Sequence, residues 1–313
     1  MTDLDVLLDE YLATRRALGV RLVLPERLLK RFVTFVTGHG DTAITRARAL
    51  EWATAPREAQ PAQWANRLGM VFRFSRYACA VDPRHEVVPQ GLLPYQYRRR
   101  EPYIYSETEI ADLIGAAQRL SGTTGLRPLT FATLLGLLAV TGMRTNEILN
   151  LDRDDVDLAQ GVLTIRNGKF GKSRHVMVHA TTGRALERYA ERRDSLCAAP
   201  RCPAFFVSEH GTRITEWTLR YTFVNLSRQT GLRVPARSYG KGPRLLDFRH
   251  AFAVKTLLRW HHAGVDVEQH VPRLATWLGH AHVSDTYWYL TATPELMQQA
   301  ARRLDRTGRG VPS

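Results

Sequence analysis

The sequence predicts a mainly α-helical protein of two domains with a small β-sheet or hairpin, an α+β fold. Its length of 313 residues corresponds to about two domains, because a domain typically has roughly 100–200 residues. Residues 1–93 carry apolar side chains at helical spacing, which predicts an all-helical domain. After a linker over residues 94–105, residues 106–313 combine further helical patterns with two short β-rich segments around a glycine-containing turn.

The charge of the chain points to a polyanionic partner. Lysine and arginine number 44 against 30 acidic residues, a formal net charge of +14. A compact protein with this excess repels itself, so nucleic acid is the leading candidate partner. A generally arginine-rich proteome is the alternative explanation.

Composition also excludes several classes of protein. Hydrophobic residues make up 44% of the chain, which is too many for a mainly disordered protein. The apolar run Phe131–Val140 is shorter than the ~20 residues that span a bilayer, and the acidic N-terminus does not resemble a signal peptide, so no membrane partner is expected. Cys79, Cys197 and Cys202 lack the spacing of a zinc site, and we expect reduced thiols in a cytoplasmic protein.

Four helices are predicted in the first domain. The first ends before Gly19 and the second before Gly38, since glycine favours a helix end, and Thr42 or Thr45 is expected to cap the third. The fourth helix carries arginines that could form either a solvated face or a surface that contacts DNA phosphates. The helices are expected near residues 4–12, 28–36, 46–53 and 62–80, and the arginines are Arg67, Arg73 and Arg76.

A basic linker is expected to join the two domains. Prolines interrupt the helical pattern from about Asp82 to Tyr105, because proline is disfavoured inside helices. The linker contains Arg98, Arg99 and Arg100, which could cross a DNA backbone. Ser106 and Glu109 then form a predicted capping box that opens the second domain.

The second domain is predicted to be mostly helical around one hairpin. The hairpin strands are Val162–Ile165 and Arg174–Val178, which flank an Asn-Gly-Lys turn. Phe205–Ser208 is expected to add a further short strand. Helices are expected near residues 129–140, 144–150, 216–230, 248–261, 273–279 and 294–303.

Four segments of this domain carry residues suited to phosphate chemistry. The first is Thr141–Ile148, with Arg144 after a Thr-Gly turn and Glu147 three residues later. The second is the hairpin turn, which holds Lys169 and Lys172.

The third segment is Leu245–Ala253, which contains Arg249, and the fourth is Leu278-Gly279-His280 with Tyr289 nine residues further on. Together, in this order and with these gaps, the four segments resemble the tyrosine recombinase (phage integrase) family over roughly residues 106–300. The third segment is similar to the box written H-x-L-R-H-x-F-A. The first-domain helices resemble the family's core-binding domain more weakly.

The resemblance implies a catalytic role for five residues. Arg144 and Arg249 would bind non-bridging oxygens of the scissile DNA phosphate and stabilise its transition state. Tyr289 would attack phosphorus and form a 3′-phosphotyrosine, while Lys169 would protonate the leaving 5′-oxygen. His280 would hydrogen-bond the phosphate or help to move the tyrosine proton. This scheme needs no metal ion and no other cofactor.

Neighbouring residues leave two assignments open, and one of them adds a supporting role. Lys172 could be the acid instead of Lys169 and is otherwise expected to contact DNA. Tyr287 lies in the same segment as Tyr289 and is expected to be a core aromatic, and the nine-residue gap after His280 favours Tyr289 as the nucleophile. Glu147 would be the acidic neighbour of Arg144.

One departure from the family pattern bears on activity. Leu246 occupies the position three before Arg249 where the family normally has histidine, and its side chain can neither donate nor accept a hydrogen bond. The chemistry is therefore expected to be slower but not abolished. His250, expected to be structural or supporting, or the pair His261-His262 could substitute in space.

The resemblance also implies partners. A homotetramer would act on double-stranded DNA with inverted-repeat core sites, for integration, excision or transposition of a mobile element, at the nucleoid in the cytoplasm. A C-terminal helix would pack against a neighbouring protomer or fold back on its own domain. Two alternatives remain: a weakened accessory subunit that assembles with sister recombinases, and a type IB topoisomerase.

Overall fold

The computed structural model describes residues 3–20, 22–97, 101–166, 168, 173–234 and 242–291. The chain divides into two compact units, residues 1–100 and 101–313, each with a hydrophobic core of its own. Helices dominate and one small antiparallel sheet accompanies them, which confirms the predicted α+β class. Among the described residues, no helix combines the length and the apolar character needed to cross a membrane.

The first unit packs four helices within its described residues. The Asp3 side chain caps the first helix, and Thr45 rather than Thr42 caps the third, where its hydroxyl accepts from the backbone N–H of Arg48 at 3.2 Å. Phe32 and Phe74 are fully buried between these helices. The helices are α1 (Leu4–Ala17), α2 (Val23–Gly38), α3 (Arg46–Thr54) and α4 (Pro61–Val81).

The segment after α4 packs onto this unit. His85 is 1% exposed, and its Nδ1 accepts a hydrogen bond of 3.0 Å from the backbone N–H of Ile44. Burial lowers the pKa of His85, which favours the neutral form that this bond requires. The backbone N–H of Val88 donates to the Ser75 hydroxyl at 3.0 Å. The prolines therefore end α4 without releasing residues 82–88 from the unit.

The second unit surrounds a buried helix. Leu134, Leu135 and Leu138 of α6 are fully buried, and this helix contacts α5, α8 and α10. The helices are α5 (Glu107–Gln118), α6 (Leu126–Thr141), α7 (Thr145–Leu149), α8 (Ala180–Leu196), α9 (Glu216–Gln229), α10 (Leu245–His262), α11 (Val267–Leu278) and α12 (Ser284–Tyr287). Ser106 and Glu109 form the predicted capping box at the start of α5.

A three-stranded antiparallel sheet contains the predicted hairpin. Its strands lie in the order β1 (Val156–Asp157), β2 (Val162–Ile165) and β3 (Arg174–Met177). Val162 pairs with Met177, and Ile165 pairs with Arg174, so the hairpin turn connects Ile165 to Arg174.

Two expectations about the second unit were wrong, and one of its helices was not predicted. Helix α8 was not predicted, because its sequence is rich in charged residues and buries only a narrow stripe of Leu186, Tyr189, Ala190 and Arg193. The expected strand Phe205–Ser208 does not form. Ala204 and Val207 make only isolated β-bridges, and Phe205 and Phe206 between them fill the core.

Helix α11 starts six residues earlier than expected. A start at residue 273 was expected, yet the helix begins at Val267 and includes Pro272. The Asp266 side chain caps it, and the buried stripe of Val267, Val271 and Leu274 stabilises it through packing.

Candidate active site

Arg144 lies at the start of α7, directly after the left-handed turn that ends α6. Gly142 has a φ of 62°, and a Cβ at this position would lie 2.6 Å from the ring of Phe252, so the turn requires glycine. The backbone N–H of Arg144 donates to Glu147 Oε2 at 2.9 Å, and its Nη1 donates to Oε1 at 2.8 Å. Glu147 therefore holds both the main chain and the guanidinium of Arg144.

Glu147 binds a second arginine, Arg174, through both oxygens. Arg174 Nη1 and Nη2 donate to Glu147 Oε1 and Oε2 at 2.9 and 2.8 Å. Burial alone would raise the pKa of Glu147, but the hydrogen bonds from Arg174 and from the Arg144 backbone outweigh burial and lower this pKa to about 2. An ionised carboxylate thus separates two guanidinium groups.

Arg249 points inward from α10 and is 3% exposed. Its Nη1 donates to the carbonyl of Gly142 at 3.0 Å, and its Nη2 donates to the carbonyl of Leu278 at 2.6 Å. Burial, together with the positive charge of Arg144, lowers the pKa of Arg249 to about 10, so the group stays charged at neutral pH.

The C-terminal end of α11 binds all three arginines. The carbonyls of Trp277, Leu278 and Gly279 accept in turn from Arg174 Nε at 2.8 Å, Arg249 Nη2 at 2.6 Å and Arg144 Nη2 at 3.1 Å. Carbonyls in the last turn of a helix lack intrahelical partners and form the negative end of the helix dipole. The helix end therefore compensates part of the concentrated positive charge.

A cavity of about 220 Å³ lies beside this cluster. Cationic side chains line this cavity, which makes it suited to bind an anion. Residues beside the hairpin turn and residues of the turn after α11 complete the lining. Its lining residues are Arg144, Gly168, Ser173, Arg174, Thr276, Gly279 and His280.

His280 and Tyr289 follow α11 and lie close to each other. Their rings are stacked with centroids 6.2 Å apart, and His280 Nδ1 lies 2.7 Å from the hydroxyl of Thr286. Tyr289 is 2% exposed, and its hydroxyl lies 3.1 Å from Nδ1 of His250. His250 follows Arg249 on α10, so α10 supplies groups that contact both α11 and the tyrosine.

Tyr287 and Leu246 are both exposed. Tyr287 is 44% exposed, so the expectation that it is a core aromatic was wrong, and Tyr289 is the buried tyrosine of this segment. Leu246 is 45% exposed in the first turn of α10. His262 lines a different cavity, with Lys255 and Arg259.

Several predicted site residues lie outside the described residues. Gly168 and Ser173 are described on either side of the hairpin turn. The residues outside the description are Lys169, Lys172, Arg98, Arg99, Arg100 and the expected C-terminal helix at 294–303.

The three arginines of α4 differ in what they contact. Arg67 is partly buried, with its Nη2 donating to the Trp52 carbonyl at 2.6 Å and its guanidinium 3.8 Å above the Trp52 ring. These contacts fix Arg67 within the first unit. Arg73 and Arg76 are exposed on the same helix.

Sequence patterns did not identify Arg174 as part of the site. It was assigned only as the first residue of a strand, and its contacts connect it with Glu147 and with Trp277, which is 103 residues away along the chain. Its position directly after the lysine-bearing turn was the one available signal.

The chain matches known sequences over nearly its whole length. The model of the phage integrase family matches residues 105–295. The protein y4rB of Sinorhizobium fredii, named as a candidate integrase/recombinase, is 47% identical over 95% of this chain and 96% of its own length. The tyrosine recombinase XerD of Ralstonia nicotianae is 30% identical over 79% of this chain and 75% of its own.

Solved structures share the fold at low sequence identity. The XerH site-specific recombinase bound to palindromic difH substrate has a TM-score of 0.60 and 19% identity, over 89% of this chain and 77% of its own. The Tn1549 transposon integrase in complex with transposon right end DNA has a TM-score of 0.63 and 15% identity, over 97% of this chain and 100% of its own.

Proposed function

Because the chain belongs to the phage integrase family, we propose that it is a site-specific DNA recombinase that works through a 3′-phosphotyrosine intermediate. The observation that supports this most directly is the end of α11. There Arg144 and Arg249 bind adjacent carbonyls, and the same segment continues into His280 and Tyr289.

The arginines are suited to stabilise a pentavalent phosphate. Each guanidinium has five N–H donors, and the contacts with Glu147 and main-chain carbonyls orient it without using all of them. The remaining donors bind non-bridging oxygens more strongly as negative charge develops there, which lowers the barrier.

The proposed cleavage step balances its bonds and protons. The Tyr289 oxygen attacks phosphorus, and the bond from phosphorus to the 5′-oxygen breaks. The phenol proton passes to Nδ1 of His250, which lies 3.1 Å from the hydroxyl. Lys169 donates a proton to the departing 5′-oxygen. Attack by a 5′-hydroxyl on the phosphotyrosine reverses the step and joins the strands.

DNA is the proposed substrate, and the first unit is the proposed core-binding clamp. The net charge of +14, the exposed Arg73 and Arg76, and the basic residues 98–100 and Lys172 all favour contact with the backbone. The DNA-bound XerH and Tn1549 integrase share the fold. This similarity supports the proposals that the DNA sites are inverted repeats and that the protein recombines the DNA of a mobile element. We further propose a tetramer on DNA, with the C-terminal helix at 294–303 exchanged between protomers.

A nicked suicide substrate tests the function. The purified protein is mixed with DNA from the inverted repeats that flank its gene, nicked so that the cleaved strand cannot be rejoined. A covalent adduct is expected from wild type and from Tyr287→Phe, a matched control in the same segment. Tyr289→Phe should give none, and an adduct that persists in this variant would refute the proposal.

An accessory role is the second candidate, and Leu246 favours it. A leucine where the family has histidine removes one polar contact at the phosphate. An accessory subunit would bind the same DNA and form an adduct only beside a sister recombinase. A robust adduct from the isolated protein would eliminate this candidate.

A further inference from the structure

Arg174 occupies the junction between the hairpin and the rest of the site. It is the first residue of β3 and pairs with Ile165, so it closes the base of the hairpin that carries Lys169. Its side chain reaches across to α7 and α11, where it binds both oxygens of Glu147 and the Trp277 carbonyl. Only 13% of this side chain is exposed.

The site is shaped around this guanidinium. Gly279 has a φ of 66°, and a Cβ at that position would lie 2.7 Å from Arg174 Nη1 and 2.9 Å from its Cζ. Real Cβ atoms essentially never approach other atoms this closely, so a side chain at position 279 would displace the Arg174 guanidinium from its present position. Ser173 and Gly168, on the two sides of the turn, line the same cavity as Arg144.

We propose that Arg174 is a positioning residue that fixes the base of the hairpin at the phosphate pocket, so that the lysine of its turn protonates the leaving 5′-oxygen. This inference rests on the proposed function. The bidentate pair with Glu147 ties the hairpin to Arg144, and the bond with Trp277 ties it to the segment that carries His280. Arg174 thus connects the residues that bind the phosphate with the hairpin whose lysine protonates the leaving group.

A purely structural role for Arg174 makes a different prediction. If Arg174 only supported Glu147 and Arg144, its loss would weaken stabilisation of the phosphate with any leaving group. If it positions the hairpin, its loss affects mainly the substrates whose leaving group needs a proton.

A substrate with a bridging 5′-sulfur separates these roles, because a thiolate is a much weaker base than an alkoxide and leaves without a proton. Single-turnover cleavage by the full chain is measured on matched 5′-oxygen and 5′-sulfur suicide substrates. We expect Arg174→Ala to slow cleavage of the oxygen substrate about 10²-fold, the typical cost of a small misplacement. Cleavage of the sulfur substrate should slow by less than about 10-fold, as for Lys169→Ala.

Two further variants keep the result interpretable. Arg174→Lys retains the charge but cannot bind Glu147 and Trp277 together, so it should fold and still favour the sulfur substrate. Arg166→Ala is the matched control, because Arg166 flanks the other side of the same turn and is paired with Asp155 instead. It should cleave both substrates at the wild-type rate.

Equal slowing on both substrates in Arg174→Lys, or no slowing on either, would overturn the inference. Arg144→Ala serves as the reference for equal slowing, since this variant should lose activity on both substrates. If wild type forms no adduct with either substrate, it is the proposed function that fails.

Discussion

Tyr289, the proposed nucleophile, is held in the core by its neighbours. Its ring lies against those of His250, His280 and Trp288, and its hydroxyl bonds His250. For attack on a phosphate, this hydroxyl must approach phosphorus while it remains hydrogen-bonded to a group that can accept its proton. His250 can therefore act in two ways, as an anchor for the phenol and as the acceptor of its proton.

Substitutions of His250 separate these two roles. Glutamine retains an oxygen that accepts a hydrogen bond from the phenol but cannot take up its proton at neutral pH. Both His250→Gln and His250→Ala should slow formation of the covalent adduct about 10²-fold in single-turnover assays, the usual scale for lost acid–base catalysis.

His270→Gln is the control for this pair, because His270 is half-buried on α11 and its hydrogen bonds go to the Asp266 carbonyl and to Arg273, not to Tyr289. A wild-type rate in His250→Gln together with a slow His250→Ala would mean that His250 only positions the tyrosine.

Leu246 supports a prediction of increased activity. It lies one helical turn before Arg249 and is half exposed, so a histidine there meets no tightly packed core. If the missing polar group resembles a lost oxyanion donor, Leu246→His should raise the cleavage rate by about 10²-fold, measured with the suicide substrate. An unchanged rate would show that the site does not lack this group.

At the scale of elements, the C-terminus of α11 organises the site. The sequence boxes predicted Arg144, Arg249, His280 and Tyr289 because each box is a short local pattern. They did not predict that three arginines would each bind one of three consecutive carbonyls. That arrangement depends on contacts between segments that are distant in the chain, such as Arg174 with Trp277. Helix α8 was missed for a related reason, since its few buried residues gain stability only from tertiary packing.

Gly279→Ala tests this helix end against a matched glycine. Gly279 and Gly264 both have left-handed backbones, with φ of 66° and 72°, but a Cβ at Gly264 would meet no atom within 4 Å. Gly264→Ala should cost about 1 kcal/mol of unfolding free energy through backbone strain alone and leave cleavage unchanged.

Gly279→Ala should cost more in denaturant unfolding and should also slow cleavage, because the new methyl group displaces Arg174. Equal stability losses in the two variants, with wild-type cleavage in both, would contradict the close packing of Arg174 on this turn.

Glu147 makes stability depend on pH in the acidic range. Its pKa of about 2 lies below the ordinary value of 4.5, so its charged form stabilises the fold. This contribution is complete above pH 4.5 and is lost as pH falls towards about 2, and its full size is roughly 3 kcal/mol.

Glu147→Gln should therefore be much less stable than wild type at pH 7, because it leaves two arginines without their carboxylate. The difference should shrink as pH falls from about 5 to 2, as followed by urea unfolding. A difference that stays constant across this range would show that Glu147 is not ionised in the fold.

At the scale of the whole molecule, charge and fold lead to the same class of partner. Composition alone indicated a polyanion, and the sequence boxes suggested that the polyanion is cut and rejoined. Neither identified which basic side chains face DNA. Arg67 illustrates the reason. It follows the same helical spacing as Arg73 and Arg76, yet its side chain packs on Trp52 and does not extend into solvent.

The salt dependence of DNA binding tests the face of α4. Each phosphate contact contributes about −0.9 to the slope of log K against log salt concentration, because neutralised phosphates release counterions. Replacing both Arg73 and Arg76 by alanine should reduce the steepness of the slope by about 1.8 and weaken binding similarly for any sequence. Arg16→Ala is the control, since Glu26 already compensates the charge of Arg16, and its slope should match wild type. An unchanged slope in the double variant would place the DNA-binding surface of the first unit on another helix.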